Sequence, residues 1–448
     1  MKWAGGPRVT ADPGRATLAA ALLGLTLLAG ARAATASPAE GPDSLRLRVE
    51  IGASSDYTNE VFYEDTFDST ALTGRRLVDS PETRYAGVLS TRLTGTRGRR
   101  STRFDLANDL SLGDLLKRDV LSMTMRAEPT SLWTFYGSPR LEYRRDRTFD
   151  RDLDEWRGSA GLRARRRLSE GAFAELGARG ELLRSSGRGS EFILDRQGLT
   201  GTAAFEQAPL WGPEWRVEYG LTRRVFPDSS ERDHYQHAVD GHLRVDLPGG
   251  RPLLVEAGAD RRATIEAAPT SRDNFWEERG AVEAEVGLTE ALSLRARVEA
   301  EAIQYDLEDS TLFFDYQELR ARVGPRLQRG TLSLALGPRI EAVFARLDPS
   351  EGYQEIAAMA EVESLGSGTW WSVIPIAGWR DYDEPAPGAE AIGVHSSYAF
   401  YEIGVMADQA VPGGFRLRLF GNARFESHVD DAEDARSLYF SLDLRRLF

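Results

Sequence analysis

The chain has 448 residues, a formal net charge of −13, a mean hydropathy of −0.39 and no cysteine. The acidic balance, with no basic block rising above it, excludes nucleic acid as a partner. The absence of cysteine excludes disulfides and thiolate metal sites. After residue 30 no apolar run approaches the roughly 20 residues that a spanning helix requires. A transmembrane β-barrel remains open, because only alternate residues of its strands meet lipid.

Residues 1–33 are predicted to be a secretory signal peptide. Lysine and arginine precede the apolar core at 16–30, and Ala-Arg-Ala at 31–33 is a small-x-small cleavage site. A single membrane anchor is the alternative, but the core is short for one. Residues 34–43 would then form a short periplasmic segment and residues 44–448 the barrel. This interval leaves no room for an N-terminal plug domain.

From Ser44 onward, apolar and polar residues alternate. The run at 45–51 reads LRLRVEI, and similar runs recur to the end of the chain. Alternation places one chemistry on each face of a strand. The runs reach about 10–13 residues, the length of a tilted membrane strand, whereas strands of a soluble β-sandwich usually have about 5–6. The predicted fold is all-β: a transmembrane, antiparallel, up-and-down β-barrel of about 20 strands, within a range of 18–22.

The polar faces are dense in arginine and glutamate, which suits a water-filled lumen where neighbouring strands pair their charges. The predicted pore-lining residues are Arg46, Arg48, Glu50, Glu283, Glu285, Arg295, Arg297, Glu299, Glu301, Arg320, Arg322, Arg416 and Arg418.

The connections alternate between short, turn-like segments and longer, acidic ones, as short periplasmic turns and long external loops do in a membrane barrel. The longest connection, 54–81, is expected to be a loop that could fold into the lumen and constrict it. Segment 207–214 is long for a turn, and 113–117 is short for a loop. The short set is 97–100, 128–131, 168–171, 247–252, 288–291, 327–330, 365–368 and 409–414, and the long set is 54–81, 146–154, 226–233, 267–274, 305–310, 346–352, 381–395 and 428–435.

Aromatic residues cluster near the predicted strand ends. Such positions are typical of the aromatic girdles at membrane interfaces, although ordinary strand propensity explains part of the set. The residues are Trp133, Tyr143, Trp156, Trp215, Tyr219, Tyr235, Trp276, Trp370, Trp371, Trp379, Tyr398 and Tyr401.

The last segment, 437–448, reads SLYFSLDLRRLF. Its terminal Phe448 shares parity with the apolar Phe440, Leu442 and Leu444. This resembles the C-terminal insertion signature of bacterial outer-membrane β-barrel proteins, a terminal Phe preceded by apolar residues at every second position. Arg446 departs from that pattern, because the superfamily usually has an apolar or aromatic residue there. The resemblance implies recognition by the barrel-assembly machinery, and a place in the outer membrane of a Gram-negative bacterium after export by the signal peptide.

Few residues suggest chemistry. In HYQHAVDGH, at 234–242, His237 faces opposite to the other two histidines, so the three cannot converge on a metal. Acidic clusters recur at 56–65, 146–155, 381–384 and 430–434. Their carboxylates could bind divalent cations, or they could simply form solvated external loops.

No G-x-S-x-G is present, and His395 with Ser396 and Ser397 is the one candidate neighbourhood for a hydrolase. The chain is expected to be neither an enzyme nor a cofactor or metal protein.

Two functions fit a barrel of this size. The first is a porin-like channel for passive passage of small hydrophilic solutes through an Arg/Glu-lined lumen. The second is a non-conducting barrel that acts in adhesion, anchoring or assembly through its acidic external loops. The expected partners are outer-membrane lipid, the barrel-assembly machinery, small polar solutes and divalent cations at the loops.

Overall fold

The computed structural model describes most of the chain after residue 43. The described ranges are 44–68, 71–97, 102–147, 152–188, 194–247, 251–265, 273–307, 314–346, 351–383, 396–429 and 433–448. Nearly all of these residues lie in strands, and a short 3-10 turn spans Ser230–Arg232. Among the residues so described, no helix is long and apolar enough to cross a membrane.

The strands form one antiparallel sheet. In chain order they are β1 (Ser44–Asp68), β2 (Ala71–Arg97), β3 (Thr102–Gly113), β4 (Leu116–Ala127), β5 (Trp133–Gly137), β6 (Arg140–Asp146), β7 (Asp152–Ser169), β8 (Ala172–Arg188), β9 (Arg196–Gln207), β10 (Glu214–Val225), β11 (His234–Leu247), β12 (Arg251–Thr264), β13 (Phe275–Gly287), β14 (Leu292–Tyr305), β15 (Tyr316–Arg329), β16 (Leu332–Ala345), β17 (Tyr353–Gly366), β18 (Thr369–Tyr382), β19 (Tyr398–Val411), β20 (Phe415–His428) and β21 (Ala435–Leu447).

The sheet closes on itself. Each strand pairs with the next along the chain, and β21 pairs with both β20 and β1. β5 and β6 occupy a single position, because both pair with β4 on one side and β7 on the other. Pro139, which lacks a backbone N–H, lies between these two halves. The barrel therefore has twenty strand positions, and the predicted fold class is confirmed.

The two faces of the barrel wall differ in chemistry. One face carries large, exposed apolar residues such as Ile51, Leu176 and Phe440, which are 53, 67 and 41% exposed. The other carries ion pairs between strands two positions apart, as where Arg216 Nη2 on β10 lies 2.8 Å from Glu175 Oε1 on β8. Such strands are about 9–10 Å apart, and their side chains converge only on the concave side of a curved sheet. The polar face is therefore the inward face. Other pairs of this kind are Arg165–Glu206, Arg279–Asp240, Arg326–Glu285 and Arg380–Glu341.

Short and long connections alternate between the two ends of the barrel, as predicted. The end at which β1 begins and β21 ends, here called the terminal end, has two-residue turns at 170–171, 330–331 and 367–368. Gly171 and Gly368 both have φ of +80°, which a side chain at either position would strain. The opposite end, here called the loop end, has longer connections, except that β1 and β2, and likewise β3 and β4, are joined by two residues only.

The interpretation of 54–81 as a loop that constricts the lumen is wrong. β1 and β2 pair with each other from Ser44 and Thr96 out to Asp68 and Ala71, so this segment is a hairpin in register with the barrel wall. β21 pairs with β1 only as far as Val61, and β3 pairs with β2 only from residue 86. The outer part of the hairpin therefore extends beyond both neighbouring strands.

The aromatic girdle prediction holds in part. Trp215 and Trp371 lie on the outward face near the terminal end, and Trp276 lies outward near the loop end. Two members of the predicted set face inward instead. Trp370 donates from Nε1 to Glu363 Oε1 at 2.8 Å, and Tyr398 is 4% exposed. Alternation along a strand fixes the face of a residue, whereas nearness to a strand end does not.

The pairing of β15 with β16 is interrupted between Arg322↔Arg339 and Arg326↔Ala335. Each strand has a Gly-Pro dipeptide here, and proline cannot donate to the ladder. The two backbones approach so closely that a Cβ on Gly324 would lie 1.7 Å from the Leu336 carbonyl oxygen. Glycine is therefore required at this position on steric grounds.

We expect Gly324→Ala to destabilise the barrel by about 1–3 kcal/mol, because the new methyl group meets backbone that cannot move aside cheaply. The matched control is Gly287→Ala, which is also inward-facing and has no heavy atom within 4 Å of its added Cβ. Urea unfolding of each folded variant in lipid measures its stability. Equal midpoints for the two variants would contradict the steric argument.

Candidate functional site

All thirteen predicted pore-lining residues lie on the inward face. They occur in two groups, one on β13–β15 and one beside the strand that closes the barrel, and β16–β19 separate the groups. The members are Arg46, Arg48 and Glu50 on β1; Glu283 and Glu285 on β13; Arg295, Arg297, Glu299 and Glu301 on β14; Arg320 and Arg322 on β15; and Arg416 and Arg418 on β20.

The group on β13–β15 is a network of alternating charges. Glu283 accepts hydrogen bonds from Arg295 Nε at 2.9 Å and from Arg297 Nη1 at 3.0 Å. Arg297 also donates from Nε to Glu299 Oε1 at 2.6 Å. Glu301 accepts from the Tyr316 hydroxyl at 2.6 Å. Charged groups at these distances hold one another in place, so the side chains form an ordered wall.

The second group surrounds the closing strand β21. Asp408 accepts from Arg416 Nε at 2.6 Å and from Arg418 Nε at 3.3 Å. Arg48 and Glu50 form an ion pair at 2.5 Å. Arg46 has no ion-pair partner among the residues that the structure describes.

Sequence reasoning missed several inward charges on β16–β18. Glu355 is 1% exposed and accepts from Arg380 Nε at 3.0 Å and Nη2 at 2.7 Å. Glu341, directly opposite it on β16, accepts from Arg339 Nη2 at 2.7 Å. The signal was present, since these residues share parity with the inward face of their strands. The surrounding alanines and glycines weakened the apolar half of the pattern.

An aromatic cluster covers the inward wall between β17 and β20. Phe400 is 1% exposed, although it faces inward, because Gly378 leaves space for its ring. The Arg424 guanidinium lies 4.9 Å from the Phe400 ring centroid, and that of Arg380 lies 3.9 Å from the Tyr353 ring. Cation–π contacts of this kind fix the charged ends over the rings. We call Tyr353 and Phe400 the aromatic shelf; it thickens one side of the wall.

Two concavities of different charge adjoin each other on the inward face. A larger one, of about 590 Å³, is lined by six acidic residues and four arginines. A smaller one, of about 340 Å³, is lined by four arginines and one glutamate. They share Arg297, Glu299 and Arg320. The wall therefore changes from acidic to basic across β14 and β15.

The histidines lie where the alternation argument placed them. His234 and His242 face inward, and His237 faces outward, where Tyr219 Oη lies 2.7 Å from its Nδ1. His395 lies outside the described residues. Its neighbour Ser396 donates from Oγ to Glu433 Oε2 at 2.7 Å, so the hydroxyl proton points to a carboxylate.

The acidic clusters lie at the loop end, in part outside the described residues. Asp146 is 2.9 Å from Arg144 and Glu155 is 2.6 Å from Arg157, so these carboxylates already have protein partners. Beyond the end of β14, hydrogen bonds from Arg261 hold the pKa of Asp306 below its ordinary value. No group of three or more His, Asp or Glu residues placed to hold a metal occurs within the described part of the chain.

A closed antiparallel barrel with an apolar outward face and a charged inward face is the architecture of outer-membrane β-barrels, and this chain has that fold. No family model and no curated protein matches the sequence. Solved structures, by contrast, are similar to this chain. The siderophore receptor PirA from Pseudomonas aeruginosa is similar with a TM-score of 0.50 and 13% identity, over 91% of this chain and 81% of that one.

PirA from Acinetobacter baumannii gives a TM-score of 0.51 at 7% identity, over 89% of this chain and 80% of that one. The outer membrane protein OpdK from Pseudomonas aeruginosa gives a TM-score of 0.45 at 11% identity, over 90% of this chain and 99% of that one. These identities are low, so the likeness to the two receptors concerns the fold alone.

Proposed function

We propose that this protein is an outer-membrane, porin-like channel for passive passage of small hydrophilic solutes. The observation that carries the proposal is the inward face, which is charged on strands all around a barrel of twenty positions. Barrels of 16–18 strands already leave an aqueous channel, because side chains cannot fill so wide an interior. The thirteen predicted pore-lining residues would set the field that a solute meets.

The proposal also covers location and assembly. The signal at 1–33 would carry the chain across the inner membrane of a Gram-negative bacterium. Phe440, Leu442, Leu444 and Phe448 would present the closing strand to the barrel-assembly machinery. Outer-membrane lipid would cover the apolar face, and divalent cations at the loop-end carboxylates would tie it to anionic headgroups. The proposal includes no catalytic step, no cofactor and no nucleic acid.

The test is single-channel recording of the purified, folded barrel in a planar bilayer. We expect discrete current steps, with a reversal potential in a salt gradient that shifts toward cation selectivity in Arg295→Ala and Arg320→Ala, since each removes a fixed positive charge from the lumen. The control is Arg223→Ala, on the outward face of β10, which should leave the reversal potential unchanged.

A silent bilayer, with heat-modifiable electrophoretic migration showing a folded barrel, would overturn the channel proposal. The non-conducting barrel of adhesion, anchoring or assembly would then be the better account. A shift of equal size in Arg223→Ala would instead show that the reversal potential does not report the inward face.

A further inference from the structure

Three arginines stand side by side on the inward wall. Arg297 on β14 is directly opposite Arg322 on β15, which is directly opposite Arg339 on β16. Directly opposed residues have Cβ atoms about 4.5–5.5 Å apart, and like charges in such positions repel each other. We call Arg297, Arg322 and Arg339 the arginine row. Its stability requires negative charge close by.

Among the described residues, the two outer members of the row form direct ion pairs with carboxylates, and the middle member does not. Arg297 bonds to Glu283 and Glu299, and Arg339 bonds to Glu341. Among the described residues, Arg322 forms no ion pair, and its Nε is buried without a hydrogen-bond partner. A buried donor without a partner is costly and calls for an explanation.

The wall beside Arg322 has room for a ligand. The smaller concavity, of about 340 Å³, is lined by Arg322 and both other members of the row. The vacant volume and the unpartnered guanidinium therefore adjoin each other.

We propose that the arginine row binds the oxyanion group of a solute, a carboxylate or a phosphate, with Arg322 as its main partner. A guanidinium presents a planar fork of N–H donors that matches both groups bidentately. An oxyanion in this concavity would form the direct ion pair that Arg322 does not form with any described residue. The proposal deepens the proposed function by naming the class of solute and rests on it for the role in transport; binding itself can be measured without conduction.

The experiment has two readouts. In the bilayer, inorganic phosphate and succinate are added separately, at constant ionic strength, to a potassium chloride current; we expect each to reduce the wild-type current in a saturable way. In solution, the same anions should raise the urea midpoint of the folded barrel, because a ligand that binds the folded state alone stabilises it. Comparing the effects of phosphate and succinate shows whether the site prefers a phosphate or a carboxylate.

Arg322→Gln should weaken binding of the anion by about tenfold or more, the loss expected for a pair of charge-assisted hydrogen bonds. Arg322→Lys keeps the charge but loses the planar fork of donors, so its affinity for the anion should lie between those of the wild type and Arg322→Gln. The control is Arg103→Gln on β3, an exposed inward arginine remote from the row. Heat-modifiable migration establishes that each variant folds.

Three outcomes would overturn the proposal: no effect of either anion on the urea midpoint, an equal loss of affinity in Arg322→Gln and Arg103→Gln, or a wild-type affinity in Arg322→Gln. A silent bilayer together with anion stabilisation that Arg322→Gln abolishes would refute the channel and support the site. A conducting channel whose current and urea midpoint do not respond to either anion would support the channel and refute the site.

Discussion

Phe440→Arg should destabilise the barrel in lipid by about 2–4 kcal/mol, whereas Ser441→Arg, one residue further along, should be tolerated. Phe440 lies near the middle of β21 on the outward face and is 41% exposed. An arginine there would have to sit in hydrocarbon, at the cost measured for a charge near the midplane on the lipid face of a barrel strand. Ser441 faces inward, opposite Asp56, so an added cation there lies beside a carboxylate and away from hydrocarbon.

The measurement is urea unfolding of both variants in lipid vesicles, with the fraction folded read from heat-modifiable migration. The pair differs in a single position along one strand, so strand propensity and distance from the chain end are nearly the same. Equal losses in the two variants, or a larger loss in Ser441→Arg, would reverse the assignment of the inward and outward faces. Every conclusion on the lumen depends on that assignment.

Glu355→Ala should cost about 3–5 kcal/mol of stability, the loss found when one partner of a buried ion pair is removed. Glu355 is 1% exposed and bonds twice to Arg380, and Arg339 lies 3.4 Å away. Its removal leaves the Arg380 guanidinium, packed over the aromatic shelf, without its nearest counter-charge. Glu355→Gln keeps the shape and one acceptor, so it should cost less.

The control is Glu82→Ala. Glu82 also pairs with an arginine, Arg84, at 2.9 Å, but both side chains are about a third exposed. Exposed pairs contribute about 0–1 kcal/mol. Urea midpoints of the three variants should therefore fall in the order Glu82→Ala, Glu355→Gln, Glu355→Ala, from the smallest loss to the largest. If Glu82→Ala and Glu355→Ala lost the same amount, burial of this charge network would not matter to the fold.

Alternation alone predicts most of this architecture. In β1, the period of two from Leu45 to Ile51 identifies both the strand and its two faces, because lipid on one side and water on the other select opposite chemistries. The same argument places all thirteen predicted residues on the inward face. It also predicts that His237 faces opposite to His234 and His242.

The pattern fails where that contrast of environment is lost. The outer part of the β1–β2 hairpin, beyond residues 61 and 86, reaches past its neighbouring strands. The sequence of this part shows no regular alternation of apolar and polar residues, so the strand is predicted as a loop. Phe400 is the converse case, an apolar residue on the polar face whose space is made by Gly378 on the next strand.

Contacts between distant parts of the chain likewise cannot be predicted from the periodicity of a single sequence. The arginine row arises from the register of three strands, which sets Arg322 opposite both Arg297 and Arg339. A shift of the β15–β16 register by two residues would keep every face and still disperse the row. Periodicity fixes the face of each residue, but the turns and backbone contacts fix the register.

The rim of the barrel at the loop end is uneven. On one side, residues 62–68 of β1, about 23 Å long at 3.3 Å per residue, extend past the last residue that pairs with β21. Immediately beside it, β3 and β4 turn back after Gly113. In the described part of the loop end, the wall is therefore tall at β1 and β2 and short at β3 and β4, so the interior lies closer to the outside over β3 and β4.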